Sequence, residues 1–457
     1  MVRYFGTDGV RGVVNKDLTC EIAFALGIAA AEHLGQKLVI GRDTRRSGPL
    51  LEEALVSGIT ATGACALLAG IIPTPAVAYL TRALEASGGV VISASHNPPE
   101  YNGLKLFDAD GFKLSSELEE AIEKRLGELL ENPLALKEAM EAGGTAELLF
   151  PIDDAHARYI EHAIKSISDR VSDLSGLKIA VDCGHGASVF TTPEALMRCN
   201  AEVVSTNIQF TGDDINVNCG STNLSPLKKL VADTQADVGI AHDGDADRVI
   251  AVDANGNELD GDFIKMICAQ DMMQRGALPS HTIVSTIMCN LGLIKAAAEH
   301  GIEVVQTAVG DSNVLAAMRE GGYILGGEQS GHMIFLEHNT TGDGLITALQ
   351  LFAIMKKQNK SLSELAKVMR KYPQKLINVR VATEKLSTVR DGLDKDRELA
   401  HEIMKTEEAL VASGAGRVLL RASGTEPLIR VMVEAATEAD AQEYATILAA
   451  YVQAHYG

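Results

Sequence analysis

Three times along this chain a short apolar run empties into a polar turn and then into a helical pattern. The three openings are Ile40-Gly41-Arg42-Asp43, Val181-Asp182-Cys183-Gly184 and Val284-Ser285-Thr286. No other feature narrows the possible folds as much. Strand and helix signals in alternation predict βαβ units and a mainly parallel sheet. As a sequence repeat the three openings are weak, but they point to related α/β units. A chain of 457 residues is too long for one core and predicts roughly three or four domains.

Residues 1–150 predict a helix from Cys20 to Leu34, a strand from Leu38 to Ile40, a helix from Leu50 to Thr62 and a strand from Gly88 to Ile92. Asn102-Gly103-Leu104-Lys105 and Asp110-Gly111 read as a turn-rich hairpin, followed by a charged helix from Glu117 to Leu130. Glu131 to Gly144, with Pro133 and Gly143-Gly144, reads as a weakly structured exit. A second block, 151–254, carries strands at Lys178–Val181, Val238–Ala241 and Val249–Val252 and a helix near Thr192 to Arg198. The third, 255–368, restarts at Thr282, and Leu365 to Pro373 reads as a linker. The fourth, 369–457, predicts strands near Asn378, Arg417 and Leu428 and helices Asp394–Val411 and Glu438–His455. Its short strand connections favour a smaller α+β domain.

A net charge of −20 and the absence of Trp exclude the basic face and stacking platforms of a nucleic-acid binder. An acidic protein that handles an anion must gather its cations locally. Seven scattered cysteines with no CxxC pair favour neither a disulfide framework nor a zinc site. Met1 to Gly12 has no apolar run, and no stretch approaches about 18 apolar residues, so the expectation is a reduced, cytoplasmic protein.

Four loops carry chemistry. In Ser93-Ala94-Ser95-His96-Asn97-Pro98-Pro99 a serine hydroxyl stands beside a histidine at the carboxyl end of a strand, where open α/β sheets place their ligands. In His242-Asp243-Gly244-Asp245-Ala246-Asp247-Arg248, carboxylates at alternate positions repel one another unless a hard cation holds them. An EF-hand beginning at Asp243 fails, because its sixth and twelfth positions are Arg248 and Ala254. A phosphatase with Asp243 as nucleophile survives as a rival. Gly244 is expected to let the backbone wrap the ion.

Gly326-Gly327-Glu328-Gln329-Ser330-Gly331-His332 can grip sugar hydroxyls, each of which both donates and accepts. Arg421-Ala422-Ser423-Gly424-Thr425-Glu426-Pro427-Leu428-Ile429-Arg430 supplies the local positive cluster, with guanidiniums that match phosphate geometry. Arg11 and Lys105 could add cations beside Ser95. The alternatives are a bare turn, an acidic surface loop, a structural glycine loop and a surface ion pair through Glu426.

A serine turn, a DxDxD loop, a hydroxyl-gripping loop and an arginine clamp, one per block, resemble the α-D-phosphohexomutase superfamily over essentially the whole length. The resemblance narrows on Tyr4-Phe5-Gly6-Thr7-Asp8-Gly9-Val10-Arg11-Gly12, Ser93, Gln329 and the run Arg421 to Val433. It implies an α/β fold of four domains around a central cleft, three related mixed α/β domains plus a smaller C-terminal α+β domain. Ser95 would be phosphorylated, and Asp243, Asp245 and Asp247 would hold one Mg²⁺ together with that phosphate. Arg11, Lys105 and His332 would assist transfer. Glu328 and Ser330 would contact the sugar, and Arg421, Ser423, Gly424, Thr425 and Arg430 would clamp phosphate.

The implied reaction is reversible isomerisation of glucosamine 6-phosphate to glucosamine 1-phosphate through a 1,6-bisphosphate. Glucose and mannose phosphates are the alternative substrates. The partner would be a small-molecule sugar phosphate, with no nucleic acid and no membrane, and a homodimer is the assembly to test. One departure is that relatives often carry a basic residue where Ala308 or Ser312 sits.

Overall fold

Alternating apolar and helical segments sort into four sheets in a computed structural model that describes residues 4–6, 9–142, 148–381, 396–422 and 427–457. The first sheet is built from β1 (Phe5–Gly6), β2 (Gly9–Val13), β3 (Lys37–Arg42), β4 (Cys65–Ile71), β5 (Gly88–Ile92), β6 (Tyr101–Phe107) and β7 (Leu149–Pro151), in the order β1-β2-β6-β5-β3-β4-β7. The second holds β8 (Lys178–Asp182), β9 (Glu202–Thr206), β10 (Val238–His242), β11 (Val249–Asp253) and β12 (Glu258–Leu259), ordered β12-β11-β10-β8-β9. The third is β13 (Thr282–Thr286), β14 (Glu303–Thr307), β15 (Leu325–Gly327) and β16 (Met333–Phe335), ordered β14-β13-β15-β16.

The same motif lies inside all three. Its first strand (β3, β8 or β13) is flanked by the second and third in parallel, and a fourth closes the third in antiparallel. The weak sequence repeat therefore marks the first strands. The chemical loops lie elsewhere, at the hairpin between third and fourth strands: β5 to β6, β10 to β11 and β15 to β16. The sheets are consequently mixed, with parallel strands at the centre of each motif.

Two local expectations are corrected. Asn102-Gly103 is no turn, because it sits inside β6, where Lys105 pairs with Val91. Gly103 is required by close approach: a Cβ there would lie 2.6 Å from the Ser93 carbonyl oxygen. The chain turns instead at Asp108–Gly111. The supposed weak exit contains a helix, Pro133–Ala142, with proline at the first position, where its missing N–H costs nothing. Beside β3, helices Cys20–Leu34 and Gly48–Ala61 pack backbone to backbone: a Cβ on Gly27 would lie 2.2 Å from Leu55 O, and one on Gly58 2.0 Å from Phe24 O.

The chain divides into two compact units, residues 1–288 with 302–368, and 289–301 with 369–457. The second contains β17 (Gln374–Arg380), β18 (Gly416–Ala422) and β19 (Leu428–Ala435), all antiparallel in the order β17-β19-β18, with helices Arg397–Ala412 and Glu438–Tyr456. This agrees with the α+β expectation. The same unit takes in helix Leu291–Glu299, which the sequence places in the third block. Buried Glu434 explains the assignment, accepting from Asn290 Nδ2 at 2.9 Å and from the Leu291 N–H, while Arg417 reaches both Glu434 and the Cys289 carbonyl. All seven cysteines are free. Among the described residues no helix is long and apolar enough to cross a membrane.

Candidate active site

Within the first unit, three hairpin loops converge. Ser95 leaves β5 in the left-handed region, at φ 50°, and is almost fully buried. Its Oγ donates to Asp243 Oδ2 at 2.5 Å, and the Arg248 N–H donates to Asp243 Oδ1 at 3.2 Å. Asp243, Asp245 and Asp247 are all buried and offer ligand oxygens within 4.8 Å of one another. Lys105 Nζ bonds Asp245 Oδ2 at 2.9 Å and lies 3.5 Å from Asp247 Oδ2. Thr74 Oγ1 donates to the same Asp245 oxygen at 2.7 Å.

Charge in this cluster is divided unevenly. Burial, and then repulsion from Asp247 and Asp245, push the Asp243 carboxyl well above its ordinary value. Burial also acts to raise Asp247, but Lys105, His332 and Arg248 outweigh it and hold that carboxyl well below the usual range. Asp245 Oδ1 and Asp247 Oδ1 are buried and accept no hydrogen bond from the described residues. Orphaned oxygens on clustered carboxylates fit a hard divalent cation with positions left for a phosphate oxygen.

Gly244 acts differently from the expectation. The left-handed residue of this loop is Ala246, at φ 55°. Gly244 is needed for space, since a Cβ would sit 2.7 Å from Ser95 O and 2.7 Å from Ile215 Cδ1. Gly244→Ala is expected to lower turnover about 100-fold by displacing the serine turn from the carboxylates, with thermal unfolding checking that the fold survives.

His96 Nδ1 lies 3.3 Å from Ser95 Oγ. Burial, then the charges of Arg248 and Arg11, push its imidazole down to about 4, so it is neutral near neutral pH. His332 is buried between two carboxylates, 3.5 Å from Asp247 Oδ2 and 3.7 Å from Asp311 Oδ2. Burial would lower it, but those carboxylates leave it above its ordinary value. Asp311 in turn pairs with Lys113. A cavity of about 220 Å³ opens beside Lys105, lined also by Gly6, Gly9, Lys113, Gly310 and Ser312. The Val309–Asn313 stretch lines this cavity, and its Gly310 N–H reaches Glu328 Oε1 at 3.2 Å.

Glu328 and Ser330 lie in the β15–β16 loop, with Ser330 Oγ 3.5 Å from Glu328 Oε2. The loop rests on helix Gly261–Gln274, whose Gly261 N–H donates to Gln329 O at 3.0 Å. Beneath it Lys265 is fully buried, with Nζ bonded to Ser285 Oγ at 2.7 Å and Gly327 O at 2.8 Å, and 3.3 Å from Asp262 Oδ1. Lys265→Met removes a buried cation beside a carboxylate. It is expected to cost about 3–5 kcal/mol in urea unfolding, part of which Asp262→Asn in the same chain should restore.

In the second unit Arg421 and Arg430 stand directly opposite each other on β18 and β19. Burial and then the Arg430 charge push the Arg421 guanidinium down. Like charges opposed across strands are unfavourable unless an anion joins them. Ser423, Gly424, Thr425 and Glu426 lie outside the described residues. Sequence reasoning passed over Asp43, Arg45, Thr74, Asn216, Arg248, Lys265 and Asp311. The available signal was charge at a strand end, as in Arg42-Asp43-Thr44-Arg45, and a lysine inside the otherwise apolar run Phe263 to Cys268.

The phosphoglucomutase/phosphomannomutase family matches in four successive segments: α/β/α domains I, II and III at residues 2–132, 157–256 and 260–372, and the C-terminal domain at 376–450. The chain belongs to this family of phosphohexomutases. Within it the chain falls among the phosphoglucosamine mutases. It is 49% identical over 458 residues to the phosphoglucosamine mutase of Caldanaerobacter subterraneus subsp. tengcongensis and 48% identical over 459 residues to that of Clostridium novyi, covering 99% of each chain in both pairs. Its fold is shared with a phosphoglucomutase/phosphomannomutase family protein of Burkholderia thailandensis (TM-score 0.80, 24% identity, 99% of this chain and 98% of that one). It is also shared with Aspergillus fumigatus N-acetylphosphoglucosamine mutase, solved with GlcNAc-6P and magnesium (TM-score 0.71, 20% identity, 100% and 96% covered).

Proposed function

We propose that the chain interconverts glucosamine 6-phosphate and glucosamine 1-phosphate, with Ser95 as the phosphoryl carrier. The observation that carries this reading is the Ser95 hydroxyl held 2.5 Å from Asp243, inside a buried three-aspartate cluster that Lys105 partly neutralises. Phospho-Ser95 gives its phosphoryl group to the free sugar hydroxyl. The bond from phosphorus to the serine oxygen breaks, the bond to the sugar oxygen forms, the sugar hydroxyl loses its proton and the serine oxygen gains one. The 1,6-bisphosphate then turns over, and the other phosphate returns to Ser95.

Asp243, Asp245 and Asp247, with the Ser95 phosphate, hold one Mg²⁺, which supplies charge neutralisation when bound. Lys105, Arg11 and His332 assist transfer around the carrier. Glu328 and Ser330 bind sugar hydroxyls. Arg421, Ser423, Gly424, Thr425 and Arg430 clamp whichever phosphate is not reacting, so one clamp serves both ends of the bisphosphate. We take 1–150, 151–254, 255–368 and 369–457 as the working domains.

A sugar phosphatase with Asp243 as nucleophile remains the rival reading, and the Ser95 hydroxyl 2.5 Å from Asp243 Oδ2 supports serine as the carrier instead. We place the protein in the cytoplasm, working on a small-molecule sugar phosphate without nucleic acid or membrane. Light scattering tests a homodimer against a single chain. The decisive experiment is intact mass before and after glucosamine 6-phosphate, together with kcat/KM for the glucosamine, glucose and mannose 6-phosphates. One added phosphate on Ser95 and a preference for glucosamine are expected. Steady release of inorganic phosphate without isomerisation would overturn the reading.

A further inference from the structure

Arg45 is a fully buried arginine at the end of β3, and all five of its guanidinium N–H groups are used. Nε donates to Asp43 Oδ2 at 2.9 Å. Nη1 donates to the carbonyls of Pro98 and Tyr101, and Nη2 to those of Ser95 at 2.9 Å and Asn97 at 2.8 Å. The Ser95 carbonyl is also reached from a turn in the connection between β9 and β10, by Asn216 Nδ2 at 2.8 Å. On the amide side, Ser95 N–H donates to Ser93 Oγ at 3.0 Å, and Ser93 Oγ donates to Asp43 Oδ2 at 2.6 Å. Both peptide groups of a residue in the left-handed region are thereby fixed, which a non-glycine residue needs if it is to stay there.

These contacts are to backbone, so they are the same whether the serine oxygen carries phosphate or hydrogen. That matters for the reaction of the preceding section, on which this inference rests. Between the two half-reactions Ser95 is a plain hydroxyl with no phosphate to hold the turn against the aspartates. It must nevertheless be in place to receive phosphate before the bisphosphate escapes. In that return step the bond from phosphorus to the sugar oxygen breaks, the bond to Ser95 Oγ forms, the serine loses its proton and the sugar oxygen gains one.

We propose that Arg45 and Asn216 are positioning residues of phosphoryl transfer, clamping the Ser95 carbonyl from two loops, one after β3 and one after β9, so that the dephosphorylated turn keeps the geometry of the phosphorylated one. Neither touches the reacting atoms. Both act through Ser95.

The test uses Asn216→Gly and Arg45→Lys in the full chain. Asn216 is itself at φ 61°, so glycine deletes the amide without straining the loop, and this variant stands should Arg45→Lys fail to fold. Turnover of glucosamine 6-phosphate is expected to fall about 10–100-fold while KM changes less than about threefold, the pattern of a misplaced reacting group. Phosphorus-31 NMR of the reaction should show the 1,6-bisphosphate accumulating free in solution, above the wild-type level. A purely structural role would lower the melting temperature without raising bisphosphate escape, and that result overturns the proposal. So does Asn216→Gly with wild-type kcat and no escape, or a rise in KM alone. Intact mass of the wild type separates this failure from that of the carrier itself. If wild-type Ser95 bears no phosphate, the carrier reading has failed; if it does and the variants match wild type, only the clamp has.

Discussion

Ser95→Ala is expected to abolish isomerisation, with turnover reduced more than about 1,000-fold and the added phosphate missing from the intact mass. The magnitude follows from what the hydroxyl does. In the proposed reaction it is the acceptor and donor of the moving group, with His96 Nδ1 beside it at 3.3 Å and Lys105 Nζ held on Asp245. The fold should survive, because one buried hydroxyl and its bond to Asp243 are lost while the backbone contacts of the turn remain. Sugar phosphate should still bind, since Glu328, Ser330 and the arginine clamp are untouched. Near-native turnover in Ser95→Ala would end the carrier assignment.

Asp243→Asn separates the two things the aspartate cluster does. As a catalytic element it should fail, with turnover down about 100–1,000-fold, because a carboxylate ligand of the proposed Mg²⁺ becomes a neutral amide. As a structural element it should not. Asp243 is the carboxyl that burial and two neighbouring carboxylates oppose most, so its amide relieves repulsion in metal-free protein. Adding Mg²⁺ at about 100 times its dissociation constant should stabilise the wild type by about 2.7 kcal/mol, and the variant far less. Melting curves with and without metal read this directly. A variant that responds to Mg²⁺ as the wild type does would remove Asp243 from the ion's ligands.

The sequence reading was sharpest where a local rule decides the outcome. The expected helix near Cys20 to Leu34 forms at those bounds, with Thr19 capping it and Gly35 ending it, both short-range effects. The three hairpin loops of the first unit stand out in the sequence by residue type, although a bare turn and a structural glycine loop read much the same, and the structure brings them together. Tertiary demands were not legible. Asn102-Gly103 carries a strong turn signal, yet that glycine serves the approach of Ser93, which the pairing of β5 with β6 brings against it. Helix Gly344–Gln358 is buried almost all round, so it lacks the amphipathic stripe by which a helix is recognised. Arg45 looked like one more charge at a strand end, because nothing local tells that five carbonyl and carboxylate oxygens await it.

The capture of residues 289–301 by the C-terminal unit has a consequence for how the protein is made. Helix Leu291–Glu299 leaves the ribosome before all of residues 302–368, which belong to the other unit. At about 5–20 residues per second this is an interval of several seconds. The carboxylate that seats its first turn, Glu434, arrives later still, on β19. A fragment begun at residue 369 would lack that helix altogether, and a chain stopped before β19 would carry the helix without the strand that receives it. Folding of this unit therefore waits until β19 has been made, long after its first helix.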